Sequence, residues 1–377
     1  MLSPFDLFAI IVITLTQRFV YRDILRTGFV ARRTLAAAYI LLAGAFALGF
    51  SFLTSRFALP PQVALVAGAV GQTWFFGSTA GYLLWRGFRL ATSRARKAPF
   101  DPERRRLLNA TGAALAAAPF ALVGYGALVE RLDFRVREVD VPIPNLPHDL
   151  DGLRLVHLSD IHLSAFLSER DLARVIDSAN ELRAHLAFVT GDLITAAGDP
   201  LDTCLRQLAR LRTDAGVLAC MGNHERYANA EDYTERQAAR LGLPFLRSQT
   251  RQLRFGSATL NVAGVDYQRK GHYLPGAERM VVPGAVNLLM SHNPDVFPVA
   301  AKQGYDLMLS GHTHGGQVTV EILHESLSPA RFVTPFVYGL FREGAAHAYV
   351  TRGIGTIGIP ARIGAPPEIA LLRLRKA

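Results

Sequence analysis

Apolar positions are spaced differently in the two parts of this chain. Before residue 130, the intervals 33–56, 56–86 and 106–130 contain no charged residue between their ends. Each interval is long enough to cross a hydrocarbon core of ~30 Å as about 20 helical residues. A further apolar segment, 2–19, carries a charged residue near each end and spans only if these charges reach the interfaces. The pattern predicts a membrane region at 1–130 with three to four transmembrane helices.

Beyond residue 150, short apolar runs alternate with helical stretches, which is the pattern of βαβ units. The runs predict strands at 154–158, 186–190, 217–221, 286–290 and 307–309. The segments between them predict helices near 169–184, 201–211, 230–241 and 294–302. Alternation at 252–265 and after residue 317 adds antiparallel strands, and the proline-rich segment 131–149 is a linker or an edge strand. We therefore expect an α/β domain at 150–377 with two facing mixed β-sheets flanked by helices.

The positive charge of the chain lies in its apolar part. The whole sequence carries a formal net charge of +10, yet residues 131–377 contain 27 Lys and Arg against 26 Asp and Glu. A nearly neutral domain argues against nucleic acid as a partner. The basic residues of the apolar part cluster at 18–33 and 86–106, and positively charged loops stay cytoplasmic. This distribution predicts a multi-pass protein of the inner membrane whose domain at 150–377 is extracytoplasmic.

The run Arg104, Arg105, Arg106 before the last apolar interval has a second interpretation. Because an alanine-rich segment follows it, the run also resembles a twin-arginine export signal with cleavage after Ala118. The apolar segments that precede it favour an ordinary anchor with a positive flank. Both interpretations export the domain.

Each predicted strand ends in Asp, Asn or His, at the edge where open α/β sheets place their sites. In chain order these blocks are residues 157–162, 191–192, 222–225, 291–293 and 311–316. Taken singly, such residues are ordinary turn formers, helix N-caps or hydrogen-bonded histidines. Five blocks at five successive strand ends predict a metal site, because carboxylate, amide and imidazole groups would meet at one edge.

This set resembles the calcineurin-like metallophosphoesterase superfamily, whose pattern runs Asp-x-His, Gly-Asp, Gly-Asn-His-Asp/Glu, His, Gly-His-x-His. The segments 291–295, 311–318, 349–353 and 366–369 look like its bacterial membrane-associated branch named after YkuE and YaeI. The resemblance implies a calcineurin-like four-layer sandwich. In the familiar members of that branch a twin-arginine leader precedes the enzyme, so the apolar segments before Arg104 are a departure from the pattern.

The resemblance also implies a ligand set for two divalent metal ions. Asp160, His162, Asp192 and His314 would hold one ion, and Asp192, Asn223, His292 and His312 the other. The bridging carboxylate of Asp192 would fix the ions ~3.5 to 4 Å apart. Nitrogen and oxygen ligands without sulfur suit Mn, Fe or Zn, and the sequence leaves the choice among the three open.

Further residues are expected to act on the phosphate. Two cations would turn a shared water into hydroxide near neutral pH and clamp the phosphate oxygens for in-line attack. The resemblance gives His224 the task of stabilising the transition state and protonating the leaving oxygen. Glu225 either orients His224 or is an exposed residue after a turn. Arg352 and Tyr267 either contact a phosphate or headgroup, or are a surface salt bridge and a core tyrosine.

Two hypotheses about function follow. The first is a metal-dependent phosphoric ester hydrolase that cleaves a phosphodiester or pyrophosphate bond in a phosphorylated small molecule or in a cell-envelope or lipid-linked substrate at the membrane. The second is a catalytically silent metal-binding membrane sensor or scaffold with the same fold. Loss of ligands is the usual mark of such a protein, and every ligand position of the pattern is filled here.

Overall fold

The computed structural model describes residues 4–48, 60–97, 100–269, 273–322 and 325–377. The chain divides into two compact units. The first comprises Met1–Leu128 with the short segment Gly358–Ala361, and the second comprises Val129–Ile357 with Arg362–Ala377.

The described part of the first unit before residue 128 is helical. Its helices are α1 (Pro4–Thr27), α2 (Arg32–Leu48), α3 (Pro61–Ala91), α4 (Ser93–Lys97) and α5 (Pro102–Leu128). Alanine and leucine dominate α2 and α5, which favours the helical conformation.

Small and polar residues bring these helices together. Gly81 lets α3 approach α5 closely, since a Cβ there would lie 2.3 Å from the carbonyl oxygen of Ala116. Gln17 of α1 is buried and donates to the hydroxyl groups of Ser78 and Thr79 at 2.8 and 3.0 Å. A buried amide between apolar helices is tolerated because its hydrogen bonds are satisfied.

Among the described residues, one helical segment is long and apolar enough to cross a membrane, Pro102–Leu132. It contains the predicted apolar interval 106–130. The predicted spans at 2–19, 33–56 and 56–86 lie partly outside the described residues, and the number of spans stays a prediction.

The second unit contains thirteen described strands and five α-helices. The strands are β1 (Arg135–Ile143), β2 (Arg154–Leu158), β3 (Leu186–Thr190), β4 (Val217–Cys220), β5 (Gln249–Phe255), β6 (Ala258–Gly264), β7 (Val286–Met290), β8 (Leu307–Ser310), β9 (Val320–Ile322), β10 (Glu325–Leu327), β11 (Gly339–Glu343), β12 (Ala346–Val350) and β13 (Glu368–Lys376). The helices are α6 (Glu169–Glu181), α7 (Leu201–Leu208), α8 (Asn223–Tyr227), α9 (Glu231–Arg240) and α10 (Phe297–Gln303).

Two mixed sheets form the body of this unit. The first has the order β1-β13-β2-β3-β4, in which β2, β3 and β4 are parallel and β13 runs antiparallel to β2. The second has the order β11-β12-β8-β7-β6-β5, in which β6, β7, β8 and β12 are parallel. Strands β9 and β10 form a separate hairpin.

Three apolar clusters hold these layers together. The central cluster joins the facing sides of the two sheets, with Leu155 and Phe188 from one and Leu288 and Leu309 from the other. A second packs α6 and α7 on the outer side of the first sheet, and a third packs α10 on the second sheet. The structure thus confirms the predicted α/β architecture of two facing mixed sheets flanked by helices.

Local sequence explains where some of the helices begin. Helix α6 begins at a capping box, in which the Ser168 hydroxyl accepts from the Asp171 amide and the Asp171 carboxylate accepts from the Ser168 amide. The predicted helix at 294–302 starts instead with a 3-10 turn, Pro294–Val296, and becomes α-helical at Phe297. Within the segment predicted as a linker or an edge strand, β1 lies at the edge of the first sheet and pairs with β13.

Candidate metal centre

Five strand ends carry the side chains that the sequence singled out. In chain order these are Asp160 and His162 after β2, Asp192 after β3, Asn223 and His224 after β4, His292 after β7, and His312 and His314 after β8. The first three strands belong to one sheet and the last two to the other. The structure brings seven of the eight residues into three overlapping groups that could hold a metal ion; the eighth, Asn223, is the direct neighbour of His224.

The first group consists of Asp160, His162 and His314, whose ligand atoms lie within 4.8 Å of one another. The Nε2 atom of His314 lies 3.4 Å from Oδ1 of Asp160. The imidazole rings of His162 and His314 are stacked, with their centroids 4.9 Å apart. All three residues are buried.

The second group consists of Asp192, His292 and His312. Oδ2 of Asp192 lies 3.0 Å from Nε2 of His292 and 3.6 Å from Nε2 of His162. Nδ1 of His312 lies 3.2 Å from Nε2 of His292. The Asp192 carboxylate therefore faces both groups, which is the position a bridging ligand needs.

A left-handed backbone conformation recurs at the candidate ligands. Positive φ angles between 48° and 75° occur at Asp160, His162, Asp192, His312 and His314. Non-glycine residues rarely adopt this conformation, although Asp and His tolerate it better than most. Such strain persists where the surrounding structure holds it, and it clusters at functional sites.

Unpartnered buried atoms test whether this cluster suits a metal. Among the described residues, Nε2 of His162 and the side-chain oxygen of Asn223 are buried without a hydrogen-bond partner. A buried polar atom that makes no bond costs about 1–3 kcal/mol. Both atoms have a lone pair suited to a divalent cation, so the donor set fits two ions held by nitrogen and oxygen.

The protonation of the histidines agrees with a ligand role. Burial lowers the pKa of His314 to about 3 and that of His312 to about 4, and it holds the pKa of His162 well below its usual range. These imidazoles are neutral at physiological pH, which is the form that binds metals.

His292 and Asp192 form a tightly coupled pair. Burial alone would lower the pKa of His292, but the Asp192 and Asp160 carboxylates raise it to about 10. Burial likewise opposes ionisation of Asp192, yet the facing His292 and the nearby His224 hold its pKa well below the usual range. A cation that binds here would take the place of the His292 proton.

Backbone carbonyls orient two of the imidazoles. Nδ1 of His292 donates to the carbonyl oxygen of Thr190 and Nδ1 of His224 to that of Thr195, both at 2.6 Å. Each bond fixes the tautomer and leaves Nε2 for chemistry. His224 is half-buried, its amide donates to Oδ1 of Asp192 at 2.9 Å, and its ring stands perpendicular to that of His162 at 4.7 Å.

Both interpretations of Glu225 were wrong. The side chain is fully buried, and it accepts the amides of Gly222, Asp192 and Leu193 at 2.8, 3.0 and 2.7 Å. It therefore ties the loop after β3 to the start of α8 and does not contact the His224 ring nitrogen, which Thr195 binds. The contact with Gly222 is part of a capping box, so the Gly-x-x-Glu spacing at 222–225 was a local signal for it, whereas nothing local indicated the contacts with the loop at 191–193.

Tyr267 and Arg352 both lie beside the cluster. The Tyr267 ring is 5.4 Å from that of His312, and burial raises its pKa to about 12, so the phenol stays protonated. The Arg352 guanidinium stacks on Tyr338 at 4.1 Å, and its Nε lies 4.0 Å from the buried Glu368 carboxylate. The alternative of a surface salt bridge for Arg352 is wrong, because its side chain is only 12% exposed.

Sequence reasoning missed two further residues near the cluster. Tyr227 lies one helical turn after His224 in α8, with the two rings 5.5 Å apart, and is 48% exposed. Its i+3 spacing from His224 was a usable signal. Arg362 is fully buried and donates to the carbonyl oxygen of His314 at 3.3 Å. Nothing in the glycine-rich segment around Arg362 indicates that contact.

Comparison with known proteins is consistent with this geometry. Residues 153–316 match the family model described as calcineurin-like phosphoesterase. The chain is 32% identical over 273 residues to a zebrafish (Danio rerio) transmembrane protein with metallophosphoesterase domain, an alignment that covers 68% of this chain and 61% of that protein. It therefore spans about three fifths of the length of this relative.

Two bacterial relatives are similar over most of their own length. The uncharacterized metallophosphoesterase YkuE of Bacillus subtilis is 29% identical over 284 residues, which cover 72% of this chain and 97% of YkuE. The phosphodiesterase YaeI of Escherichia coli is 28% identical over 230 residues, which cover 59% of this chain and 82% of YaeI. The two alignments thus take in most of each bacterial protein.

Proposed function

Because this chain is a member of the calcineurin-like phosphoesterase family through its domain at 153–316, we propose that it is a membrane-anchored hydrolase with two metal ions that cleaves phosphodiester or pyrophosphate bonds. The observation that carries the proposal is the convergence of five strand ends from two sheets on the Asp192 carboxylate. The family uses divalent metals, and Mn, Fe and Zn all suit the donor atoms present.

The ligands divide between two ions that share Asp192. The first ion would be held by Asp160, His162, Asp192 and His314, and the second by Asp192, Asn223, His292 and His312. When bound, the two ions supply an activated water and offset the charge on the phosphate oxygens. Support comes from the short distances within each group and from the unpartnered atoms of His162 and Asn223.

His224 is the group that handles the leaving oxygen. Its Nδ1 is engaged by the Thr195 carbonyl, so Nε2 is the atom available to donate a proton. The backbone amide of His224 donates to Oδ1 of Asp192, which holds the main chain that carries the ring. Tyr267 and Arg352 are the further contacts for phosphate oxygens, since one presents a phenol that stays protonated and the other a guanidinium, both beside the cluster.

The chain arrangement completes the proposal. The region 1–130 anchors the protein in the inner membrane by several passes, and the domain that follows, which includes the edge strand β1, faces the extracytoplasmic side. Cell-envelope or lipid-linked phosphoric esters are then the substrates. The apolar segment Pro102–Leu132 and the nearly neutral domain support this arrangement.

Activity on a generic diester tests the enzymatic part. The full chain in detergent, with Mn²⁺ added, should hydrolyse bis(4-nitrophenyl) phosphate, and Asp192→Asn should abolish turnover. Asp177→Asn, an exposed carboxylate on α6, is the matched control and should behave as wild type. Absence of metal-dependent turnover in the wild type, or an Asp192→Asn variant as active as the control, would leave a silent metal-binding scaffold.

A fusion tests the localisation separately. Alkaline phosphatase attached after Lys376 should be active, because it folds to an active form only outside the cytoplasm. Green fluorescent protein at the same position should be dark, because it does not become fluorescent after export by a route other than the twin-arginine pathway. The reverse pattern would place the domain in the cytoplasm.

A further inference from the structure

The segment between β12 and β13 contributes only Arg352 to the function proposed above. It contains the motifs at 349–353 and 366–369 and, between them, Arg362. The guanidinium of Arg362 is completely buried, and it is among the largest fully buried side chains of the described structure. A cation in such a place needs compensation from its surroundings.

Backbone carbonyls provide that compensation. Nη1 of Arg362 donates to the carbonyl oxygens of His314, Arg352 and Ala365 at 3.3, 2.8 and 3.0 Å. Nε and Nη2 both donate to the carbonyl oxygen of Gly355, Nε at 3.0 Å and Nη2 at 2.5 Å. Among the described residues, no carboxylate lies within ion-pair distance of this guanidinium.

These carbonyls belong to the chain segments that surround the first metal's ligands. His314 is itself one of those ligands. The Gly355 amide donates to the Asp160 carbonyl oxygen at 2.7 Å, and a Cβ at Gly355 would lie 2.9 Å from Cβ of His162. Arg362 thus touches or adjoins all three residues of the first group, Asp160, His162 and His314.

The backbone of those three residues needs such support. Each has a left-handed conformation, with φ of 51° at Asp160, 48° at His162 and 53° at His314. A strained conformation is unfavourable and survives only where neighbours hold it. The five donors of a guanidinium can hold several carbonyls at fixed angles, which a lysine cannot.

We propose that Arg362 is a positioning residue that holds Asp160, His162 and His314 in the geometry that binds the first of the two metal ions. No hydrogen bond joins it to His292, His312 or Asn223 in the described structure, so the second ion depends on it far less. Removal of the guanidinium should therefore weaken one metal site and spare the other. The inference rests on the proposed function, because it assumes that the cluster binds two ions.

Metal binding provides the test, with a readout other than turnover. The full chain in detergent, freed of metal by a chelator, is titrated with Mn²⁺ and free Mn²⁺ is followed by electron paramagnetic resonance. The wild type should bind two ions. Arg362→Met, which is apolar and of similar length, should bind one ion as before and the other at least about tenfold more weakly. Arg362→Lys should fall between the two, since it keeps the charge but fewer donors.

A second arginine serves as the matched control. Arg154 is half-buried and donates to the Leu182 carbonyl at 2.6 Å, away from the cluster, so Arg154→Met should bind two ions like the wild type. Two unchanged sites in a folded Arg362→Met variant would overturn the proposal. If that variant does not fold, Arg362→Lys decides by the same criterion, and failure of both to fold counts against a role specific to the site. A wild type that binds no Mn²⁺ refutes the proposed function instead, whatever the variants do.

Discussion

Most side chains at this centre are either candidate metal ligands or residues that hold the loops. His224 belongs to neither class, because its Nδ1 is bonded to Thr195 and its Nε2 is left for substrate. Glu225, its neighbour in sequence, is fully buried and holds three amides. The proposed function thus gives these adjacent residues of α8 separate tasks, proton transfer for His224 and support of the loop for Glu225.

Substitution of His224 should remove proton donation and leave the metals in place. We expect His224→Gln to lower kcat for bis(4-nitrophenyl) phosphate by about 10²- to 10⁴-fold, the usual contribution of a general acid. Because 4-nitrophenolate leaves readily, a diester with an alkyl leaving group should suffer a larger loss. The Mn²⁺ stoichiometry measured on the same preparation should stay at two, and a variant that lost an ion would show that His224 is a ligand.

Substitution of Glu225 should act on stability. Glu225→Gln replaces one accepting oxygen by an NH₂ group that faces backbone amides, so we expect the free energy of unfolding to fall by about 2–4 kcal/mol. Chemical denaturation followed by circular dichroism measures this change. The exposed Glu181→Gln in α6 is the control and should change stability by less than about 0.5 kcal/mol. Equal behaviour of the two variants would contradict the supporting role of Glu225.

Strand ends and the turns after them define the site at the scale of elements. Strands β2, β3 and β7 could be predicted residue for residue, because each is a short apolar run between polar segments. The candidate ligands could be predicted for the same reason, since each directly follows such a run. Arg362 and the contacts of Glu225 with Asp192 and Leu193 could not be predicted, because the partners lie on other elements.

The turn at Gly353 has no room for a side chain. Gly353 has φ of +68°, and a Cβ there would lie 2.6 Å from Cβ of Asp160. We expect Gly353→Ala to displace Asp160, with a loss of at least tenfold in kcat/KM and a clear fall in Tm. Gly344→Ala is the matched control: this glycine has φ of +62° and nothing within 4 Å of its added Cβ, so it should cost about 1 kcal/mol and no activity. A kcat/KM as high in Gly353→Ala as in Gly344→Ala would contradict the prediction.

At the scale of the whole molecule, we expect metal binding and folding of the second unit to be linked. Two buried carboxylates and several buried imidazoles meet at the junction of the two sheets, where a bound cation offsets the negative charge. A ligand that binds only the folded state stabilises it by about 2.7 kcal/mol at a concentration of 100 Kd. The sequence predicted both the candidate ligands at the strand ends and the two facing sheets that carry them, but not the order of the strands in those sheets.

Removal of the metal should therefore destabilise the second unit. The two cysteines, Cys204 and Cys220, are both buried in this unit, so thiol labelling reports its unfolding without a contribution from the helices of the first. We expect a chelator to lower the temperature at which the thiols become reactive, and added Mn²⁺ to restore it. Identical labelling curves with and without chelator would show that the cluster does not couple metal binding to stability.

The position of β13 has a consequence for how the protein is made. This strand lies between β1 and β2, yet it follows every other described strand in the sequence. As the nascent chain emerges, β1 and β2 have no partner on their facing edges until β13 arrives, and exposed edges invite wrong pairing. The first sheet can therefore be completed only after its last strand has been synthesised.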